Sequence, residues 1–262
     1  MRLLLAAGFA LLTSPALAAQ CGNDSSGFDR WKQAFAAEAQ AQGVGQRGLQ
    51  ALAAARYSQS TINADRNQRS FNYSLEKFMQ VRGANTIVAQ GRRALQGNRA
   101  FYDSLERAYG VPAGVLIAIH GMETAFGRGM GDTNVVSSIA TVAYDCRRTD
   151  FFTPHALAAL IMVDRGMLSP GQLGAKHGEM GHTQFLPGNA LRYGVDANGD
   201  GRVDLYNMTD ALASTANFLR AKGWQPGQGY QQGQPNFHVL NEWNAASVYQ
   251  KAIAIMAGQI EG

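Results

Sequence analysis

Between Glu106 and Asp132 the chain carries one acidic residue, Glu123. It stands at the end of a helix-like apolar run, GVPAGVLIAIHGMETAFGRGMG, over residues 110–131. Such a run constrains the fold because it belongs in a packed interior and takes its single carboxyl with it. Ionising a carboxyl among apolar neighbours is costly, so the residue is either a flaw of packing or a proton donor. Pro112 opens the run where a missing amide donor is harmless, which puts Glu123 at the C-terminal end of its helix. There the macrodipole and the apolar Met122 and Phe126 both disfavour the carboxylate. The expected outcome is a carboxyl that stays protonated near neutrality, as a general acid must.

The rest of the chain reads as mainly α. Phe28, Trp31 and Phe35 recur at helical spacing after the capping-type cluster Asp24, Ser25 and Ser26. Leu75, Phe78, Met79 and Arg82 mark another helix, and Phe101, Leu105 and Ala108 a third that breaks at Gly110. Residues 156–163 and 210–222 have helical composition, 223–235 reads as a loop or short hairpin, and 248–260 as a closing helix. A chain of this length is expected to form one unit over 19–262, as one large domain or two intimate lobes.

Residues 1–18 look like an export signal: Arg2, the short apolar stretch Leu3 to Leu12, and a cleavage-type Ala16-Leu17-Ala18. The stretch is too short to span a bilayer. Gln20 stands where a lipoprotein signal would need a small residue, so a periplasmic product without a stable membrane anchor is expected. In that oxidising compartment Cys21 and Cys146 are expected to pair, with two free thiols as the alternative. Removing Arg2 lowers the formal charge from +4 to +3. With no basic run or zinc-finger spacing, nucleic-acid binding is unsupported. A mildly basic exported protein is compatible with an anionic polymer such as a cell wall.

Three further stretches carry chemical potential. GEMGHTQFLPGN, residues 178–189, has glycines that let backbone approach a ligand, and Gln184 offers both a donor and an acceptor. Arg147 and Arg148 follow Tyr144, a cationic and aromatic set suited to carboxylates. DANGDGRVDLYN, residues 196–207, places Asp196, Asn198 and Asp200 at positions 1, 3 and 5 of a calcium loop, with Gly201 at 6 and the Arg202 carbonyl at 7. Position 12 is Asn207 instead of Glu, and Asp210 stands three residues on as a substitute. The alternative is a metal-free, Asx-rich turn.

The order METAFGR, Tyr144 to Arg148, GEMGHTQFLP, the Asp-rich loop and LNEWNAASVYQKAI resembles the membrane-bound lytic transglycosylase B family of peptidoglycan-cleaving enzymes. DRNQRSF (65–71) and QGRRAL (90–95) fit the same pattern, so the similarity runs from about Phe28 to the end. It implies a lysozyme-like helical core over 111–262 with a flanking helical lobe over about 19–110. It also implies cleavage between N-acetylmuramic acid and N-acetylglucosamine of glycan strands, with Glu123 as single acid/base and a 1,6-anhydro product. No cofactor is implied for the chemistry. By position, Arg147, Arg148, Gln184, Asn244 and Tyr249 match cleft residues, and Asp196, Asn198, Asp200, Arg202 and Asp210 a structural calcium loop. Which protein partners the chain has is left open by the residues.

The chain departs from that family at several points. A Gly-Ser-aromatic-Ala-Gly-Ala-Met-Gly pattern becomes residues 174–181, GAKHGEMG, which loses a hydroxyl and gains Glu179. Trp243 stands where Tyr is usual, and His120 replaces an apolar residue one turn before Glu123. His120 reads as packed or hydrogen-bonded instead of as a proton relay. Glu179 supports a second reading, hydrolysis by an activated water, and a noncatalytic wall-binding scaffold is the reading from another class.

Overall fold

The computed structural model describes residues 19–67 and 73–262. The expected export signal and residues 68–71 of the DRNQRSF motif lie outside them. A 3-10 turn over Ser25–Gly27 is capped by the Asp24 carboxylate, which accepts from Ser26 N–H at 2.8 Å. It leads into α1 (Phe28–Ala41), α2 (Gln46–Ala54), α3 (Gln59–Arg66), α4 (Leu75–Arg82), α5 (Ala84–Gly97) and α6 (Arg99–Tyr109). Then follow α7 (Ala113–Thr124), a two-residue strand β1 (Thr133–Asn134), α8 (Val135–Tyr144), α9 (Thr149–Asp164) and β2 (Leu173–Gly174). The chain ends in α10 (Pro187–Tyr193), α11 (Met208–Ala221), α12 (Val239–Trp243) and α13 (Ser247–Glu261). The sheet is one antiparallel pairing, Thr133 with Gly174 and Asn134 with Leu173. The segment after α11 is irregular and unpaired: the buried Asn236 amide donates to the Gln225 and Gln228 carbonyls, while its Oδ1 accepts from Gln225 N–H.

Helix α7 is the axis of the core. Every residue from Ala113 to Met122 is buried, because α13, α5, α6 and α11 pack around it. Each aliphatic side chain so enclosed contributes about 1.5–3 kcal/mol of transfer free energy. Close crossing depends on Gly114, where a Cβ would lie 2.5 Å from the Ala257 carbonyl of α13. Ahead of α7, Gly110 closes α6 in a left-handed conformation and its carbonyl accepts from Trp224 Nε1 at 2.9 Å. The burial that makes α7 apolar therefore comes from elements distant in sequence, and together they hold its C-terminal turn in place.

A continuous cluster of buried apolar side chains runs from Phe28 to Ile260. At its N-terminal end Phe28, Trp31, Tyr57 and Tyr144 stack edge and face, joining α1 to α8. The Cys21–Cys146 disulfide and a bridge between Gly22 and Asp145 fasten the chain start beside them. Among the described residues no helix is long and apolar enough to cross a membrane.

Candidate active site

Helix α7 ends one residue after Glu123. Ala125 and Phe126 then take left-handed backbone angles, φ 50° and 63°, and their amides return to the Gly121 and His120 carbonyls. Such angles are strained for residues with a Cβ, by about 1–3 kcal/mol each. Gln184, φ 57°, is the other non-glycine of this kind among the described residues, so all three flank Glu123 or its cleft. Thr124 holds the turn: its hydroxyl donates to the His182 carbonyl at 2.6 Å and accepts from Gly127 N–H at 2.9 Å. Gly181, left-handed itself, lets the 178–189 loop lie against the Leu205 carbonyl, where a Cβ would collide. Met180 and Phe185 then exchange backbone hydrogen bonds of 2.9 and 3.0 Å, a tight reversal that carries Gln184.

The cleft so formed has a volume of about 890 Å³. Glu123, Arg148, Gln184, Asn244 and Tyr249 line it together, with Arg82, Glu179 and Trp243. Glu123 is partly exposed and receives two hydrogen bonds on one oxygen: Tyr249 Oη at 2.5 Å and Trp243 Nε1 at 3.0 Å, both to Oε1. No described residue donates to Oε2. Burial pushes the Glu123 carboxyl above its ordinary range; the two donors and the Arg82 charge pull the other way without cancelling it, and Glu179 adds to the rise. The site therefore shifts this carboxyl toward its protonated form while two donors converge on one of its oxygens.

Gln184 Nε2 donates to the Gly181 and Met130 carbonyls, at 2.8 and 3.4 Å, which fixes its amide. Asn244 follows α12, and its Oδ1 accepts from Ala246 N–H at 3.0 Å. The two arginines diverge from their expected pairing. Arg148 lines the cleft, with its guanidinium 4.7 Å from the Phe152 ring centre, whereas Arg147 does not line it. Both guanidiniums meet Asp65, which is buried at the end of α3. Arg147 Nε and Nη2 donate to its carboxylate and carbonyl at 2.6 and 2.7 Å, and Arg148 Nη2 meets the other carboxylate oxygen. Burial alone would raise Asp65, but the two guanidiniums outweigh it and hold the carboxyl below its ordinary range.

Glu179 is held by His177, whose N–H donates to Oε2 at 3.0 Å and whose Nδ1 lies 3.3 Å from Oε1. Burial would raise this carboxyl as well, yet the His177 hydrogen bonds and charge bring it below its ordinary value. The two cleft glutamates are thus driven apart. His120 is buried, its Nε2 2.9 Å from His182 Nδ1, and desolvation with the neighbouring ring lowers its pKa to about 3. It is a neutral, hydrogen-bonded tie between α7 and the 178–189 loop.

The calcium-type loop lies outside the cleft. Its oxygens are of a kind a hard cation takes, but its side-chain carboxylates and amide are engaged within the protein, Asp200 Oδ2 by Asn198 Nδ2 at 3.1 Å and the others by backbone. Asp196 accepts from Gly199, Asp200 and Gly201 N–H, Asn198 Oδ1 from Asp200 N–H, and Asp200 from Arg202 N–H. Asp210, fully buried, accepts from Ala197, Asn198 and Asp204 N–H at 2.9–3.2 Å. Among the described residues no three His, Cys, Asp or Glu side chains converge to hold an ion.

Sequence reading did not assign Trp243 or Arg82 a part in the site, nor His177 as the holder of Glu179. Trp243 carried one signal, its adjacency to Asn244, but its contact with Glu123 joins residues 120 apart in sequence.

Comparison with known proteins places this geometry. The family model described as Transglycosylase SLT domain matches residues 27–234. Membrane-bound lytic murein transglycosylase B of Escherichia coli (strain K12) is 37% identical over 132 residues, which is 48% of this chain and 37% of that protein's length. The matched stretch thus spans well under half of that relative. SltB3 of Pseudomonas aeruginosa, solved in complex with NAG-anhNAM-pentapeptide, superposes with a TM-score of 0.81 at 28% identity, over 90% of this chain and 80% of that one. Escherichia coli SLT35, solved with calcium, shares the fold with a TM-score of 0.76 at 22% identity, over 93% of this chain and 96% of its own.

Proposed function

Because this chain belongs to the transglycosylase SLT domain family, we propose that it is a peptidoglycan lytic transglycosylase that cleaves the bond between N-acetylmuramic acid and N-acetylglucosamine without consuming water. The observation that carries this reading is Glu123: a carboxyl raised by burial, hydrogen-bonded through Oε1 alone, on the wall of a polar cleft. Oε2 carries the proton to the glycosidic oxygen as the bond to the anomeric carbon breaks. Tyr249 and Trp243 stabilise the carboxylate left behind, which then takes the proton of the muramoyl 6-hydroxyl as that oxygen closes on the anomeric carbon. A 1,6-anhydro ring results, Glu123 is protonated again, and no second carboxylate or cofactor is needed, unlike in two-carboxylate glycosidases.

Arg148, Gln184 and Asn244 bind and orient the sugar in this reading; Arg147 acts behind them by fixing Asp65. Glycan strands are the partner, and SltB3 solved with a NAG-anhNAM-pentapeptide supports that substrate class. Export through residues 1–18 belongs to the same reading, and N-terminal sequencing of the secreted protein should begin at Ala19. A structural calcium ion on Asp196, Asn198, Asp200, the Arg202 carbonyl and Asp210 is the finer part. The oxygen donors and their spacing support it, and the ion has no step in the chemistry. The flanking lobe over 19–110 and core over 111–262 are taken as one unit, since a single apolar cluster runs through both. Mass spectrometry of muropeptides released by wild type and by Glu123→Gln tests the whole: anhydro ends from the first and none from the second are expected.

A further inference from the structure

The single acid/base mechanism leaves Glu179 unused, although it lines the same cleft as Glu123 with its side chain 25% exposed. This carboxylate is unusually well braced. His177 grips it with its amide and one ring nitrogen, at 3.0 and 3.3 Å, while the other ring nitrogen, 3.4 Å from Asp65 Oδ1, makes no hydrogen bond. The His177 ring stacks on Phe152, planes 4° apart, and Asp65 is anchored by Arg147 and Arg148. A group held this way is preorganised, which a solvated surface glutamate is not. Burial raises the Glu123 carboxyl while His177 lowers that of Glu179, and environments that push two carboxyls apart suit one to act as acid and the other as base.

Building on the assignment of Glu123 as acid, we infer that Glu179 gives this enzyme a second outcome: it activates a water molecule in the cleft, so that part of the bonds broken are hydrolysed. Glu123 gives its proton to the leaving oxygen as the glycosidic bond breaks. The water oxygen bonds to the anomeric carbon and loses a proton to Glu179. Solvent then takes that proton and restores the one on Glu123. One water is consumed and the muramoyl end is reducing instead of anhydro. The 6-hydroxyl competes with the advantage of intramolecular proximity, so the two products form side by side.

The test is digestion of purified glycan in heavy-oxygen water, with new ends trapped by borohydride and counted by mass spectrometry. Wild type should give labelled reducing ends beside anhydro ends. Glu179→Gln and Glu179→Ala, both checked for unchanged melting temperature, should lower the ratio of labelled to anhydro ends by roughly 100-fold, the lower end of what a general base supplies. A ratio unchanged in both variants, or no labelled ends from wild type, overturns the inference. Glu123→Gln separates the two levels of the argument. If it is inactive while wild type makes anhydro ends alone, only this inference fails; if it keeps full activity, the assignment of Glu123 fails first.

Discussion

Replacing Tyr249 by Phe removes one atom from the site and leaves the ring, packed edge-on against Phe78 at 6.1 Å, in place. The lost group donates to Glu123 Oε1 at 2.5 Å from a residue 2% exposed, so water is poorly placed to substitute. A hydrogen bond to a charged group contributes about 1.5–3 kcal/mol, which corresponds to roughly a 10- to 150-fold change in the ratio of carboxyl to carboxylate. The bond favours the charged form, so its loss raises the Glu123 pKa further. Trp243 Nε1, at 3.0 Å, then carries the carboxylate alone. In the kcat/KM profile for release of anhydro muropeptides, the descending alkaline limb should move to higher pH. The rate on the plateau should fall by about 10-fold, since the carboxylate that forms during proton transfer is less stabilised. The Tyr249 hydroxyl is itself pushed well above its ordinary value by burial and by Glu123, so it remains a donor across the assay range. An alkaline limb that stays put or moves to lower pH, with an unchanged plateau, would refute the account of how Glu123 is tuned.

Glu123→Gln should stabilise the protein in a pH-dependent way. Because the folded pKa lies above the unfolded one, the contribution of Glu123 is fully present below its ordinary value of 4.5 and is lost as pH rises through the folded pKa; the gain in melting temperature over wild type should therefore vanish near pH 4 and be greatest at neutral pH and above. Reducing the Cys21–Cys146 bond, which closes a loop of 125 residues, should lower stability by about 2–5 kcal/mol. Calorimetry with and without reductant, beside Cys21→Ser, measures it, and an unchanged melting temperature would show that the tie adds nothing. Calcium at millimolar concentration should raise the melting temperature of wild type but not of Asp210→Asn; equal curves with calcium and with chelator would assign residues 196–210 to an Asx-rich turn alone.

Where caps and periodicity coincide, the fold was readable from residues alone. Phe28, Trp31 and Phe35 behind Asp24 mark α1, Leu75 to Arg82 frame α4, and Pro112 with Glu123 brackets α7. Helix α8 escaped because Val135 to Tyr144 is buried almost throughout, which erases the apolar stripe that periodicity detects. Helix α9 begins at Thr149, earlier than the 156–163 stretch suggested, and runs through Pro154. In the site, Glu123 was legible because its oddity is local: one carboxyl in an apolar run. Its hydrogen bonds were not, since Trp243 and Tyr249 reach it from more than a hundred residues away, and the family resemblance marks Tyr249 only as a cleft residue. The arginines show the same limit. Adjacent in sequence, they looked like one cationic patch, but Arg147 turns Nε and Nη2 to Asp65, 82 residues upstream, while Arg148 meets Asp65 through Nη2 and still lines the cleft.

In the proposed reaction Glu123 alone moves the proton that breaks the glycosidic bond and closes the anhydro ring. Its most direct test is the initial rate at which 1,6-anhydro muropeptides appear from purified peptidoglycan, for wild type beside folded Glu123→Gln. Wild type should release anhydro ends and the variant at least about 100-fold fewer, the least that removing a general acid/base should cost. Equal rates of anhydro product from the two proteins would contradict that role of Glu123.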